Sequence, residues 1–224
     1  MASTPDMTSI GNRDAGDSAS IIYVVDDDET LRRALSALLR SAGLHVETFA
    51  SSREFLVFER PDMPSCLILD VRLADECGLA VQEAAVRAGL NVPILFMTGY
   101  GDVATTVKAM KGGALDFLTK PFDDDAMLDA VGRALARDGE RRARERALHA
   151  VRQAYASLTP REREVMSHVI AGLMNKQIAS NLGLQEITVK VHRAQVMRKM
   201  QVRTLPDLVR QAEALGVRPS GARE

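Results

Sequence analysis

The sequence predicts a doubly wound, five-stranded parallel α/β sheet, followed by a linker helix and an all-α domain of four helices. Three observations carry that reading. Between residues 20 and 137, short apolar runs alternate with segments of helical periodicity, the pattern of a parallel sheet covered by helices on both faces. Residues 138–156 then change composition to alternating charge and alanine, DGERRARERALHAVRQAYA, rich in strong helix formers. Beyond residue 157, helix starts and glycine stops recur at short spacing.

Taken in order, residues 1–19 are rich in Ser, Thr, Asp and Gly and read as a disordered tail. Ile21–Val25 is the first strand. The next helix starts near Glu29, lines up Leu31, Ala34, Leu35, Leu38 and Leu39 on one face, and is closed by Gly43. His45–Phe49 is a second strand, after which Ser51 or Ser52 caps a helix carrying Phe55, Leu56 and Phe58. Residues 66–69 are apolar without alternation, the mark of a strand buried on both faces, and the run stops abruptly at Asp70. Helix 79–88, strand 93–98, helix 101–111, strand 115–119 and helix 123–137 complete the repeat. Gly112-Gly113 stops the fourth helix, and acids in the first turn of the fifth suit its dipole. Five strands alternating with five helices give a sheet of flavodoxin-like type.

In the linker, Ala147, Leu148, Val151 and Tyr155 form a sparse apolar stripe on a largely solvated helix, preferred to a flexible charged tether because helix formers dominate. That stripe leaves open whether the helix merely spaces two domains or pairs with a copy of itself. Thr159-Pro160-Arg161-Glu162 is a capping box with proline at the first helical position. The helix it starts carries Val165, Met166, Val169 and Ile170 inward and ends at Gly172. A short helix over 175–181 ends at Gly183, and a longer one over 187–200 places Val189, Val196 and Met200 on one face. Thr204 caps the last helix, Leu205–Leu215. Two helices joined by a tight glycine-containing turn, the second bearing Lys190, His192, Arg193, Arg198 and Lys199, form a helix-turn-helix within a domain spanning 157–219.

Composition bounds what these parts do. Apolar residues make up 46% and charged residues 26% of the chain, ordinary for a globular protein, and Trp is absent, so the cores are aliphatic. No apolar run is long enough to span a bilayer and no secretory signal is visible, so a cytoplasmic protein without membrane contact is expected. Cys66 and Cys77 then read as two reduced thiols. His45, His149 and His168 lack metal-ligand spacing. The net charge of −1 conceals a division: residues 20–137 sum to −6 and residues 157–224 to +5. The basic part suits a polyanion.

Chemistry concentrates at the strand ends, where open α/β sheets hold their ligands. The first strand delivers Asp26, Asp27 and Asp28; the third delivers Asp70. Carboxylates held together repel unless a cation neutralises them, and oxygen donors of this kind suit Mg²⁺. Thr98 ends the fourth strand with a hydroxyl able to donate to a phosphoryl oxygen, and Lys120 ends the fifth with an ammonium suited to a phosphoryl group. The sequence leaves open whether the Lys120-Pro121 bond is cis.

With these residues assembled, residues 20–137 resemble the receiver domain of bacterial two-component response regulators. The resemblance implies that Asp70 is the phosphoacceptor, Thr98 the switch hydroxyl, Lys120 the lysine at the phosphoryl group and Phe117 the switch aromatic. It implies Mg²⁺ held by Asp27, Asp70 and the backbone carbonyl of Arg72, with Asp26 acting through water. Leu73-Ala74 stands where the family has Met-Pro, which leaves that loop freer. Residues 157–215 resemble the four-helix DNA-binding domain of the LuxR/FixJ group over LTPREREVMSHVIAGLMNKQIASNLGLQEITVKVHRAQVMRKM. By that resemblance Thr188, Lys190, Val191, His192 and Ala194 face DNA, and Asn175 and Lys176 lie near backbone phosphates. Lys190 suits a guanine edge, and Val191 and Ala194 a thymine methyl. The family's serine cap on the recognition helix is Gln185 here.

Together the resemblances imply a regulator that is not an enzyme. On that resemblance a sensor histidine kinase is expected to phosphorylate it at Asp70. The fourth helix, fifth strand and fifth helix (104–110 and 126–137) would then rearrange and pair two copies, and the homodimer would bind a promoter operator in double-stranded DNA and work with RNA polymerase as an activator. Two other readings compete. Haloacid-dehalogenase-type phosphatases also use a strand-end Asp, but place a second acid two residues later, where this chain has Arg72. A degenerate receiver held as a constitutive dimer would work without phosphate.

Overall fold

Successive side chains of a strand point to opposite faces of its sheet, and here both faces are apolar. The computed structural model describes residues 20–74, 76–99 and 103–220; the expected tail 1–19 and the first two positions of the expected helix 101–111 lie outside them. Strands β1 (Ile21–Val25), β2 (His45–Phe49), β3 (Ser65–Asp70), β4 (Ile94–Thr98) and β5 (Asp116–Thr119) pair in parallel in the order β2-β1-β3-β4-β5. Ile21, Tyr23 and Val25 of β1, Leu67 and Leu69 of β3 and Phe96 of β4 enter one core; Ile22, Val24, Cys66, Ile68, Leu95 and Met97 enter the other. A sheet buried twice over gives unbroken apolar runs, which is why β1, β3 and β4 are buried along their whole lengths.

Helices cover both faces. On one side lie α1 (Glu29–Ser41), through Leu35 and Leu39, and the first part of α5 (Asp124–Ala156), through Met127, Ala130, Val131 and Ala134. On the other lie α2 (Ser52–Val57) through Phe55, α3 (Gly78–Arg87) through Val81 and α4 (Val103–Lys111) through Ala109. Ser51, not Ser52, caps α2; the Ser52 hydroxyl instead donates to Glu76 in the loop after β3. Ala34, expected on the apolar stripe of α1, is exposed.

The fifth helix and the linker are one element. α5 runs unbroken for 33 residues through Gly139, and the chain divides into two compact units that part between Arg141 and Arg142. Asp138, expected at the head of a solvated linker, is fully buried: its Oδ2 accepts from the Ser65 amide at 3.0 Å and Arg141 pairs with its Oδ1 at 2.6 Å. It satisfies a main-chain donor where β3 enters the sheet, a debt no apolar residue could meet. Burial, with Asp138 nearby, pushes the Cys66 thiol up to about 12, so that thiol stays protonated, whereas Cys77 is exposed.

The second unit packs α6 (Pro160–Ile170), α7 (Asn175–Leu182), α8 (Glu186–Lys199) and α9 (Leu205–Leu215) with the end of α5 around Val165, Met166, Val169, Ile178, Val189, Val196, Met200 and Leu208. The capping box forms as written: Thr159 Oγ1 accepts from the Glu162 amide and Glu162 Oε2 accepts from the Thr159 amide at 2.7 Å. Lys199 Nζ of α8 lies 2.6 Å from the same carboxylate. Burial acts to raise the Glu162 carboxyl, but the hydrogen bonds from Lys199 and Thr159 outweigh it and hold the group below its ordinary range.

Two outcomes follow from these buried acids. Asp138→Ala leaves the Ser65 amide without its acceptor and is expected to destabilise the first unit by about 1–3 kcal/mol, read as a lower urea midpoint by circular dichroism. Glu162→Gln keeps the cap and removes the charge, so α6 amides should lose about 1.5–3 kcal/mol of hydrogen-exchange protection at neutral pH. Because the folded pKa is depressed, that contribution is complete above the ordinary value of 4.5 and vanishes as pH falls through the folded pKa. The gap between wild type and variant should therefore close with acidification below pH 4.5.

Candidate functional site

Parallel pairing puts the carboxyl ends of β1, β3, β4 and β5 side by side, and each ends in a residue able to bind or react. The register sets Val25 beside Leu69, Asp70 beside Met97 and Thr98 beside Thr119. Asp26 follows β1 and is wholly buried, one residue further than the sequence suggested; Asp27 is exposed. Asp28 turns away and caps α1, accepting from the amides of Thr30 and Leu31.

Asp26, Asp27 and Asp70 each bring an oxygen within 4.8 Å of the other two. Lys120 Nζ lies 2.9 Å from Asp26 Oδ2 and 2.9 Å from Asp70 Oδ2, and its bond to Pro121 is cis. Burial pushes the Asp26 carboxyl up; hydrogen bonds from Lys120 and the Asp28 amide oppose that without cancelling it. Burial would lower Lys120, but its bonds to Asp70 and Asp26 prevail and hold the ammonium above its usual range, so it is cationic at neutral pH. Three carboxylates and one ammonium leave a deficit of positive charge, and the oxygen donors are of the hard kind that Mg²⁺ takes. The residues fit that ion.

Asp70 keeps an accessible edge, its side chain 11% exposed. Its Oδ1 accepts from the Arg72 amide at 3.2 Å, so Arg72 reaches the cluster through its backbone. Thr98 is buried, and its carbonyl accepts from the Lys120 amide at 2.6 Å, tying β4 to the lysine. Phe117 is half-buried with its ring 6.4 Å from that of Phe96. The loop after β3 is fastened despite Leu73-Ala74: the Leu73 amide donates to the Glu76 carbonyl, Arg72 and Cys77 form a bridge, and the Gly78 amide donates to the Val71 carbonyl at 2.8 Å.

Sequence reasoning missed two residues here. Arg32 of α1 donates to the Asp26 carbonyl at 2.6 Å, an arginine indistinguishable in sequence from its exposed neighbour Arg33. At Gly78 a Cβ would stand 2.3 Å from the Asp70 carbonyl oxygen. A glycine heading a helix just after the acidic strand end was the available signal.

In the second unit, the stripe of α8 opposite its buried Val189 and Val196 carries Lys190, Val191 and Ala194, all exposed. Thr188 and His192 lie on the shoulder and are half-buried. Lys176 is exposed, whereas Asn175 accepts from Arg193 at 3.3 Å, joining α7 to α8. Gln185 caps α8 with its carbonyl, which accepts from the Thr188 amide, and its side chain makes no capping bond.

Comparison with known proteins bears on both units. Residues 22–132 match the family model of the response regulator receiver domain, and residues 156–212 that of the luxR family of bacterial regulatory proteins. The chain is 49% identical over 207 residues to nodulation protein W of Bradyrhizobium diazoefficiens, covering 92% of this chain and 91% of that protein. It is 42% identical over 199 residues to transcriptional regulatory protein FixJ of Azorhizobium caulinodans, covering 89% and 94%. The solved structure of response regulator StyR aligns with a TM-score of 0.81 at 45% identity, over 87% of this chain and 98% of that one.

The packing at Gly78 yields one expected outcome. Gly78→Ala forces the end of β3 to shift, costing about 1–3 kcal/mol in stability. It should also weaken Mg²⁺ binding, measured by NMR titration, more than the exposed-site control Ala80→Ser.

Proposed function

The chain belongs to the response regulators that join a receiver domain to a LuxR-type DNA-binding domain, and on that premise we propose that Asp70 is its phosphoacceptor and the acid cluster its Mg²⁺ site. It is a transcription regulator of two-component type. The observation that carries the assignment of Asp70 is the position of Lys120 Nζ, 2.9 Å from both Asp26 and Asp70 at adjacent strand ends.

An Asp70 oxygen attacks the phosphorus of a phosphohistidine on a partner kinase. The new P–O bond forms as the P–N bond breaks, and the histidine nitrogen takes a proton. Lys120 holds the attacking carboxylate beforehand and remains to hold the phosphoryl oxygens afterwards. Asp26, Asp27, Asp70 and the Arg72 carbonyl would hold Mg²⁺, which offsets the anionic charge during transfer. Thr98, one strand away, donates its hydroxyl to the phosphoryl group, and Phe117 on the neighbouring strand turns inward into the space this opens. Arg72, two residues after the acceptor, provides no acid for turnover of external substrates, which supports a regulator over a phosphatase.

The readout is α4, β5 and the first part of α5. On α4, Val103, Val107 and Met110 stand exposed at helical spacing, an apolar stripe suited to a second copy. Paired copies present two α8 helices to an operator in double-stranded DNA, with Lys190, Val191 and Ala194 at the bases and Lys176 at phosphates. Recruitment of RNA polymerase in the cytoplasm, as an activator, completes the reading. No helix among the described residues is long and apolar enough to cross a membrane. Turning such a switch from nearly off to nearly on takes about 5.5 kcal/mol of differential stabilisation.

Acetyl phosphate with Mg²⁺ should double the mass of the wild-type protein and raise its DNA affinity about 5- to 150-fold. Asp70→Asn should do neither. A dimer that forms equally in both proteins would refute the assignment of Asp70.

A further inference from the structure

Among the described residues, the large apolar side chains that the second unit leaves exposed are Met174, Ile187 and Val191. Ile187 is 63% and Val191 54% exposed, although the core of that unit lies on the opposite side of the same helix. Residues 187, 190, 191 and 194 recur at i, i+3, i+4 and i+7, so Ile187, Lys190, Val191 and Ala194 form one continuous stripe, opposite buried Val189 and Val196. Exposed Lys190 and Arg198 lie along that stripe, and exposed Lys176 stands on the helix that precedes the turn.

A narrow apolar line set among cations fits a surface with methyl groups on its floor and anions along its rims. The major groove of duplex DNA is that surface: thymine presents its C5-methyl there, between phosphate walls. Cations set within the stripe itself, Lys190 and Arg198, are a poor match for the core of a protein interface, which is depleted in charge. Ile187 also occupies the first turn of α8, the end of a recognition helix that reaches base edges.

Resting on the reading of this unit as DNA-binding, we propose that Ile187 is a specificity-determining residue that reads a thymine by contact with its C5-methyl, one helical turn ahead of Val191. The unit therefore reads one thymine methyl through Ile187 in addition to the one facing Val191. Thr188 and His192, half-buried on the shoulder of the helix, take no part in this contact.

The test uses the full chain treated with acetyl phosphate. Duplexes are selected from a random pool, and each thymine of the enriched site is replaced in turn by deoxyuridine, which removes only the methyl. Wild type should lose about three- to fivefold in affinity at the thymine facing Ile187, the effect of one methyl leaving an apolar contact. Ile187→Ala should bind that position equally with or without the methyl, keep the wild-type penalty at the thymine facing Val191, and unfold at the wild-type midpoint because the side chain is exposed. Ile187→Val should retain the sensitivity. Equal uracil penalties in wild type and Ile187→Ala at every thymine would overturn the inference while leaving DNA binding in place. A pool from which wild type enriches no sequence would overturn the DNA-binding reading itself, and this inference with it.

Discussion

One ammonium between two carboxylates holds the first unit's site together. Asp26 is wholly buried and Asp70 nearly so; burial pushes the Asp26 carboxyl up, and the hydrogen bond from Lys120 works against that. Lys120 reaches both at 2.9 Å. The arrangement holds charged groups at an edge where three chain segments meet, and it leaves Asp27 and one side of Asp70 open to solvent. On the proposed reading, adding a phosphoryl group to Asp70 changes what Lys120 has to neutralise. Thr98 ends the strand paired with that of Asp70, and Phe117 lies on the strand beyond it, the one that leads to Lys120.

The rigidity of that edge comes from the sheet behind it. β1, β3 and β4 are buried on both faces, so their ends have little freedom, and Asp138 of α5 secures the far end of β3 by accepting from the Ser65 amide. Gly78 lets α3 begin against the backbone of Asp70 itself. By contrast β5, which bears Phe117, is only half-buried and sits at the sheet's edge. On the proposed reading, an acceptor on a buried central strand and a looser edge strand two places away suit a device in which the acceptor stays and the edge strand moves.

The second unit uses the same economy of charges for a different end. Glu162 closes the cap of α6 and meets Lys199 of α8, while Arg161 donates to the Leu182 carbonyl at the end of α7. These ties orient α8 so that its apolar face is consumed by the core and its opposite stripe stands clear.

Much of this was legible in the chain. Alternating apolar runs and helical periods require a parallel sheet covered on both sides, and strand-end residues Asp26, Asp27, Asp70, Thr98 and Lys120 announce themselves by following those runs. Thr159 to Glu162 fixes a helix start through local hydrogen bonds alone. Local patterns could not reveal Asp138 as buried, since only the arrival of Ser65, 73 residues away, gives its carboxylate a reason to be there. Nor could they choose Arg32 over Arg33, show that α5 passes through Gly139, or separate the Ile187 stripe from the shoulder occupied by Thr188 and His192. The sequence by itself determined which segments are helix or strand and which polar residues follow the buried strands, because propensity and periodicity act between near neighbours. Only the tertiary structure decided which donor meets which acceptor and which face is left to solvent, because those contacts join residues that folding alone brings together.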